Sequence, residues 1–354
     1  MSVLQTTGQS GTLANRSSQR ADGVATADGS AEQLRQRVRG VLGDGLRDVE
    51  GELAAALRSD NEFVAELVRH SSRFRGKLLR PMLVLLSAEA TSGRKPVHSR
   101  LAAVVEMIHV ATLVHDDVLD EAEVRRHVAT LNNRWNNETS VLFGDYLFTQ
   151  AFRLAATTGS ADVCVRIGDA CAKVCGGELR QIRHRGNLEL DEATYLKILE
   201  GKTAELTALA CELGTRETGA TTEEAIALEA YGRQLGIAFQ IADDWLDLHG
   251  VQGEVGKTLG SDIQKQKLTL PLIRLIATAS TSRRESVLQL LSHPNEATKT
   301  ALKSYLAASD AGEYTQRRAA EFVAAAKASL DPLSESPAKT LLLSIADFAI
   351  HRRK

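Results

Sequence analysis

From Ala31 to the carboxyl end, apolar residues return every three or four positions. That period gives a helix one buried face, whereas the two-residue alternation of a strand is nowhere sustained. The pattern predicts helices over 31–58, 60–70, 77–92, 98–124, 139–157, 160–185, 191–214, 222–249, 267–278, 284–292, 296–308, 312–329 and 336–351. Breakers separate them: Ser92-Gly93 with Pro96, Gly186-Asn187, Gly219, the glycine-rich run from Gly250 to Gly260, and His293-Pro294-Asn295. Residues 1–30 are mostly Ser, Thr, Gly, Gln and Ala. Such a stretch buries too little to offset chain entropy and is expected to be a disordered tail. Residues 31–354 then make one domain of the all-α class, a single large helical bundle.

Composition adds limits. With 354 residues, 43% of them hydrophobic, the chain can build a large core. Its 6 prolines and 4% aromatic content favour helix over sheet. A net charge of −2 leaves no footprint for nucleic acid. Cys164, Cys171, Cys175 and Cys211 have neither disulfide nor zinc spacing, and Cys171 and Cys175 read as core packing on one helix face. A reduced, cytoplasmic setting is the expectation. The amino terminus lacks the charged start and apolar run of a signal peptide. No uninterrupted apolar stretch approaches the roughly 18 residues of a membrane span, since Glu106 and His109 break even Leu101 to Val114.

Two acidic clusters carry the chemistry. The form D-D-x-x-D occurs at Asp116-Asp117-x-x-Asp120 and again at Asp243-Asp244-x-x-Asp247, each behind a long apolar stretch. One such cluster is ordinarily a solvated face or a cap. Two matched clusters are different, because like charges at i and i+4 share a helix face and repel. A compensating cation is needed at both. Facing pairs would enclose a central cavity and make an all-oxygen site for a hard cation, Mg²⁺ above all. Mg²⁺ held by few carboxylates keeps open positions for phosphate oxygens, so the pattern points to an enzyme acting on a diphosphate.

A diphosphate also needs donors, and Arg and Lys supply them. Lys77 and Arg80 lie three apart at a predicted helix start. Arg125-Arg126 follows the first cluster, and Lys202-Thr203 lies inside an amphipathic helix. Lys257 sits in the glycine-rich run after the second cluster, and Lys267 is expected to open the next helix. Singly each would be a surface charge; their neighbourhood to the acidic clusters is what distinguishes them.

These segments resemble the trans-isoprenyl diphosphate synthases, in the long-chain polyprenyl synthase group. The likeness runs through Gly76-Lys77-x-x-Arg80-Pro81, Ile108-His109 to His115-Asp116-Asp117-x-x-Asp120 and Arg125-Arg126, Phe143-Gly144-Asp145-Tyr146-Leu147, Lys202-Thr203, Gly236 through Phe239-Gln240-x-x-Asp243-Asp244-x-x-Asp247, and Gly256-Lys257-x-x-Gly260-x-Asp262-x-x-x-x-Lys267-x-Thr269-x-Pro271. It covers roughly residues 35–354 in the family's order. The resemblance implies the isoprenoid synthase-like bundle and a prenyltransferase that joins isopentenyl diphosphate to an allylic diphosphate such as farnesyl or geranylgeranyl diphosphate. It implies Mg²⁺, about three ions, whose six charges the six motif aspartates could balance. Asp116, Asp120 and Asp243 are then direct metal ligands, with Asp117, Asp244, Asp247 and Asp262 as further ligands or holders of water. Arg125, Lys202, Thr203, Gln240, Lys257 and Lys267 fall to the allylic diphosphate; Lys77, Arg80, His109 and Arg126 fall to isopentenyl diphosphate. Glu178 and Gln181 sit where the family puts polar pocket residues.

Two departures stand out. Arg75 occupies a position where the family commonly has glycine, and His127 and Ala129 replace the usual glycine and proline after the arginines. The loop loses glycine's permissive φ and proline's fixed φ, but no charge.

Product length is expected to follow the depth of the cavity under the first cluster. Ala111 and Thr112 lie one turn before Asp116, with Met107 and Ile108 a turn deeper. The small residues predict a long all-trans product, roughly C30 to C50, of the kind used for quinone side chains. The family's habit further implies a homodimer, and a long lipid product implies peripheral membrane contact at release, without a transmembrane segment. A terpene cyclase or head-to-head synthase would share the bundle but lack the second D-D-x-x-D, Lys77 and Arg80. A non-catalytic subunit of a heteromeric synthase would lack both motifs.

Overall fold

A computed structural model of the chain describes residues 27–351 apart from 75, 250–259 and 296. Helices α1 (Ala27–Leu42), α2 (Gly45–Ala56), α3 (Glu62–Ser71), α4 (Leu79–Ala90) and α5 (Pro96–Leu119) come first. A small hairpin follows, β1 (Val124–Arg125) against β2 (Val128–Ala129), antiparallel, with Val124 opposite Ala129. Then come α6 (Leu131–Arg134), α7 (Asn137–Ala156), α8 (Ala161–Arg183) and α9 (Glu192–Leu199). A π-helical turn, Glu200–Ala204, joins α9 to α10 (Glu205–Thr215). The long α11 (Thr222–His249) precedes α12 (Ser261–Gln264), α13 (Leu270–Thr278), α14 (Thr281–Ser292), α15 (Thr298–Ala307), α16 (Ala311–Ser329) and α17 (Pro337–His351). Apart from the hairpin, the regular structure among the described residues is helical, as the periodicity predicts.

Several boundaries differ for physical reasons. The helix expected over 31–58 begins at Ala27 and is divided in two at Gly43, whose φ of +51° suits glycine. The helix expected to reach 124 stops at Leu119, because the acidic cluster meets the negative end of the helix dipole there and Glu121 takes φ +49°. Lys267 does not open a helix; α13 starts at Leu270, behind Thr269. Residues 1–26, Arg75, the run 250–259 with Lys257, and Arg352-Arg353-Lys354 lie outside the described residues.

Helix starts follow capping chemistry. Asn61 accepts from Phe63 N–H at 3.0 Å, Asn136 from Thr139 N–H at 2.7 Å and Asp191 from Thr194 N–H at 2.7 Å. Helix α5 is the spine, buried from Leu101 to Ile108 among α2, α4, α7 and α10. By length and composition alone it could cross a membrane, with 24 residues and a mean hydropathy of 1.4 over its most apolar window, although Glu106 and His109 interrupt it. Its most apolar window is 72% buried inside the protein, as a core helix must be.

The apolar interior has two parts. One surrounds α5, and the other joins α9 to α13–α15 and α16. Helix α11 serves both, through Leu235 and Ala238 on one side and Ile237, Ile241 and Leu248 on the other. The candidate functional groups gather at that seam. Glycines hold it tight: a Cβ on Gly177 would stand 2.3 Å from Lys202 N, and one on Gly236 would stand 2.6 Å from Ala204 Cα. The backbones of α8 and α11 therefore press on the π turn from two sides. Of the cysteines, all free, Cys211 is buried but Cys175 is exposed, so the expected apolar face at 171 and 175 is turned partly outward.

Candidate active site

Both aspartate clusters occupy the carboxyl ends of their helices, α5 and α11. That is where exposed carbonyls already make the potential negative, so carboxylates there are unfavourable without cations nearby. The first cluster is met by several. Arg125 grips the buried Asp117, Nε to Oδ1 at 3.0 Å and Nη2 to Oδ1 at 2.7 Å. Lys267 Nζ donates to both Asp120 oxygens, at 2.9 and 3.1 Å. Lys265 Nζ lies 3.3 Å from Asp120 Oδ2, and Arg185 Nη2 lies 3.3 Å from Oδ1. Burial alone would push Asp120 up; Lys267 and Lys265 overcome it and hold the carboxyl below the usual range. Asp116 behaves oppositely. Burial pushes it up, Lys202 pulls it down, and Glu178 and Asp120 push it further up.

Lys202 is central. Its Nζ donates to Gln181 Oε1 at 2.8 Å, pairs with Glu178 and stands 3.9 Å from Asp116 Oδ2. The π turn makes this possible, since one extra residue per turn re-aims Lys202 and Thr203 relative to the flanking helices. Burial would lower the Lys202 ammonium, but Asp116 and Glu178 raise it, so it stays charged. Next to it, Thr203 Oγ1 donates to Gln240 Oε1 at 3.2 Å, and Gln240 Nε2 donates to Asp244 Oδ1 at 2.7 Å.

In the second cluster Asp244 is buried and accepts also from Tyr195 O–H at 2.7 Å. Burial, then the Asp262 carboxylate, push Asp244 up to about 8 despite those bonds. Asp262 N–H points at Asp247 Oδ2 across 3.4 Å, and Lys267 N–H donates to Asp262 O at 2.8 Å. Lys267 thus bridges the clusters, with its side chain on Asp120 and its backbone on Asp262. Through Lys267 the two motifs lie close to one another.

Among the described residues no three carboxylate, imidazole or thiol side chains already close into a metal cluster; lysines and arginines hold the first motif instead. The donor set nevertheless fits a hard cation. It is all oxygen, and both Asp116 and Asp244 are held up by burial and by neighbouring carboxylates. A divalent cation relieves that imbalance.

A second group of cations lies apart from Lys202 and Lys267. Burial draws the Arg80 guanidinium down to about 10 against the pull of Glu106, and its Nε has no hydrogen-bond partner. Arg126 Nη1 donates to Phe74 O at 2.6 Å. Burial and the arginines at 80, 126 and 125 hold His109 well below its ordinary range, so its imidazole is neutral. Lys77 is exposed in the turn before α4. The hairpin that carries Arg125 and Arg126 turns at Arg126 and His127, with φ +51° and +65°. Two positive φ values define the tightest hairpin turn, and the residue at 127 is where glycine would sit without strain.

The expected chain-length wall is split. Ile108 and Ala111 are buried and Thr112 half-buried, Thr112 Oγ1 donating to His109 O at 2.8 Å. Met107 faces the other side of α5, in a small cavity with Leu53, Leu57, Glu106, Val110 and Leu147. A helix turns about 100° per residue, so nine positions carry Met107 round to the side opposite Asp116.

Sequence reasoning missed Tyr195, Arg185, Lys265 and Glu106. Tyr195 and Arg185 stand far from either motif in sequence, and only the fold brings them in. Lys265 was within reach, two residues before Lys267. Glu106 reads in the sequence only as a break in an apolar run, although a buried carboxylate three residues before a candidate histidine is a signal.

Comparison with known proteins identifies the family. The chain is 32% identical over 320 residues to the octaprenyl diphosphate synthase of Escherichia coli strain K12, covering 90% of this chain and 98% of that one. It is 35% identical over 281 residues to a short chain isoprenyl diphosphate synthase of Methanothermobacter thermautotrophicus, covering 78% and 86%. A solved polyprenyl synthase from Caulobacter crescentus CB15, complexed with calcium and isoprenyl diphosphate, superposes with a TM-score of 0.86 at 34% identity, over 90% of this chain and 98% of that one. Residues 61–308 match the family described as polyprenyl synthetase, and with both acidic helices inside that span, the chain belongs to the polyprenyl synthetase family.

Proposed function

We propose that this protein condenses isopentenyl diphosphate with an allylic diphosphate to make a longer all-trans prenyl diphosphate, and that its product is long, roughly C30 to C50. The observation that carries the reading is Lys267, which ties Asp120 of the first motif to Asp262 beside the second. Bound Mg²⁺, about three ions by the family's example, supplies Lewis-acid stabilisation of charge building on the leaving diphosphate. The ligands would be Asp116, Asp120, Asp243, Asp247 and Asp262, with Asp117 and Asp244 behind them.

The chain's own residues do the rest. Lys202 and Lys267, with Lys257, hold the allylic diphosphate, and Arg125 and Gln240 steady the aspartates beside it. Arg80, Arg126 and Lys77 hold isopentenyl diphosphate, and neutral His109 offers a hydrogen bond without adding a fourth charge. With the head groups fixed, the allylic C–O bond breaks, the isopentenyl double bond attacks C1, and the departing diphosphate takes the proton that is lost. The closed site must exclude water, which would otherwise quench the cation.

The test is chromatography of the products formed from farnesyl and isopentenyl diphosphates in Mg²⁺. Products stopping at farnesyl or geranylgeranyl length would refute the long-chain reading. Ala111→Phe should shorten the product by several isoprene units, because a phenyl ring fills space that a methyl leaves open. An unchanged length distribution would remove Ala111 from the wall.

The homodimer and a reduced, cytoplasmic setting with peripheral membrane contact at product release belong to the same proposal. Leu142 on α7 and Val165 and Leu179 on α8 are 69%, 59% and 66% exposed, which supports an interface there. Leu142→Lys with Leu179→Lys should halve the mass seen by sedimentation equilibrium; an unchanged mass places the interface elsewhere.

A further inference from the structure

Asp120 is surrounded by more positive charge than it can neutralise. Lys267, Lys265 and Arg185 all lie within 3.3 Å of its two oxygens. Counted by direct contacts alone, one carboxylate meets three cations, an excess of two. Arg125, the next cation along, is already taken up by Asp117. The surplus is not diluted by open solvent, as the Lys265 and Arg185 side chains are 27% and 30% exposed and Lys267 is 8% exposed. Gathering three cations is unfavourable unless an anion of higher charge joins them.

The backbone holds this arrangement in place. Gly186 N–H, next to Arg185, donates to Gln266 O at 2.9 Å, between Lys265 and Lys267. Gln266 takes φ +52°, a conformation L side chains rarely adopt, and thereby sends both flanking lysines toward Asp120. Arg185 Nη2 makes a longer contact to Leu119 O at 3.5 Å, while its Nε is buried with no acceptor in the protein. A buried donor without a partner points to an acceptor that arrives with a ligand.

We propose that Arg185 and Lys265 are further binding residues for the diphosphate of the allylic substrate, added to Lys202 and Lys267. The assignment rests on the proposed function. The allylic head group is favoured because this group sits on the first motif with Lys202, whereas Arg80, Arg126 and His109 form the other group. A diphosphate carries enough charge to match the surplus, and its several oxygens suit a guanidinium fork beside two ammonium groups.

The test compares Arg185→Gln, Lys265→Gln and the double variant with the parent enzyme, using farnesyl and isopentenyl diphosphates in Mg²⁺. Each single change should raise KM for farnesyl diphosphate about fivefold to twentyfold, with KM for isopentenyl diphosphate within about twofold of the parent. Arg185→Lys, which keeps the charge, should recover most of the loss. Calorimetry with inorganic diphosphate, which needs no turnover, should show the same weakening. Thermal melts check folding, and Lys265→Gln, on a turn, keeps the question open to measurement if Arg185→Gln does not fold. A double variant with an unchanged farnesyl KM would overturn the inference, and so would equal rises in both KM values. If the parent itself turns over neither substrate, the functional reading fails and takes this one with it. An active parent with indifferent variants removes this inference alone.

Discussion

Asp116→Ala should leave a folded protein whose turnover is at least about a thousandfold below the parent's. Asp116 is largely covered, with about a quarter of its side chain exposed, and sits in the last turn of α5, where its charge opposes the helix dipole and faces Asp120 and Glu178. Removing it relieves repulsion, so the thermal midpoint should hold or rise slightly. What is lost is functional: Asp116 is the first-motif carboxylate left without a close cation, with Lys202 at 3.9 Å, while Asp117 and Asp120 are gripped at 2.7 and 2.9 Å. It is therefore the oxygen donor most available to a divalent ion. The rate is read from isopentenyl incorporation at saturating Mg²⁺, beside a melt by circular dichroism. Turnover within tenfold of the parent would mean that the metal is held without Asp116. Asp117→Ala is a useful contrast, because it leaves Arg125 facing an empty buried position and should lower the melting temperature as well as the rate.

That contrast marks the limit of what the sequence discloses. The spacing of Asp116, Asp120, Asp243 and Asp247 is enough to infer two acidic helix ends, because i, i+4 geometry is local. The all-helical class follows equally from a period repeated over many turns. Which carboxylate is free and which is paired is not local. Arg125 reaches Asp117 only because a tight turn at Arg126 and His127 folds the chain back. Tyr195 reaches Asp244 from another helix altogether. The π turn under Lys202 is similarly invisible, since its sequence, Glu-Gly-Lys-Thr-Ala, fits an ordinary helix. Its cause lies in the neighbours: Gly177 and Gly236 admit backbones at distances that no other residue allows.

Those glycines make a sharp prediction possible. Gly177→Ala should lower stability by about 1–3 kcal/mol and cut turnover by about a hundredfold. The added methyl would sit 2.3 Å from Lys202 N and 2.7 Å from Gly201 C, and both are backbone atoms that cannot swing aside. Either α8 or the π turn must move, and the residue displaced is Lys202, the cation between Asp116, Glu178 and Gln181. A shift of about an ångström at a group that positions a reacting diphosphate is enough for a loss of that size. The adjacent residue supplies the control. A Cβ on Gly176 meets nothing within 4 Å, so Gly176→Ala carries only the helix-propensity term and should stabilise by about 0.5–1 kcal/mol. Melting curves and farnesyl-dependent rates on the two variants separate local propensity from backbone contact. If both glycines respond alike, the closeness of α8 to the π turn is not what aims Lys202, and the lysine's placement must come from its ion pairs with Glu178 and Asp116 alone.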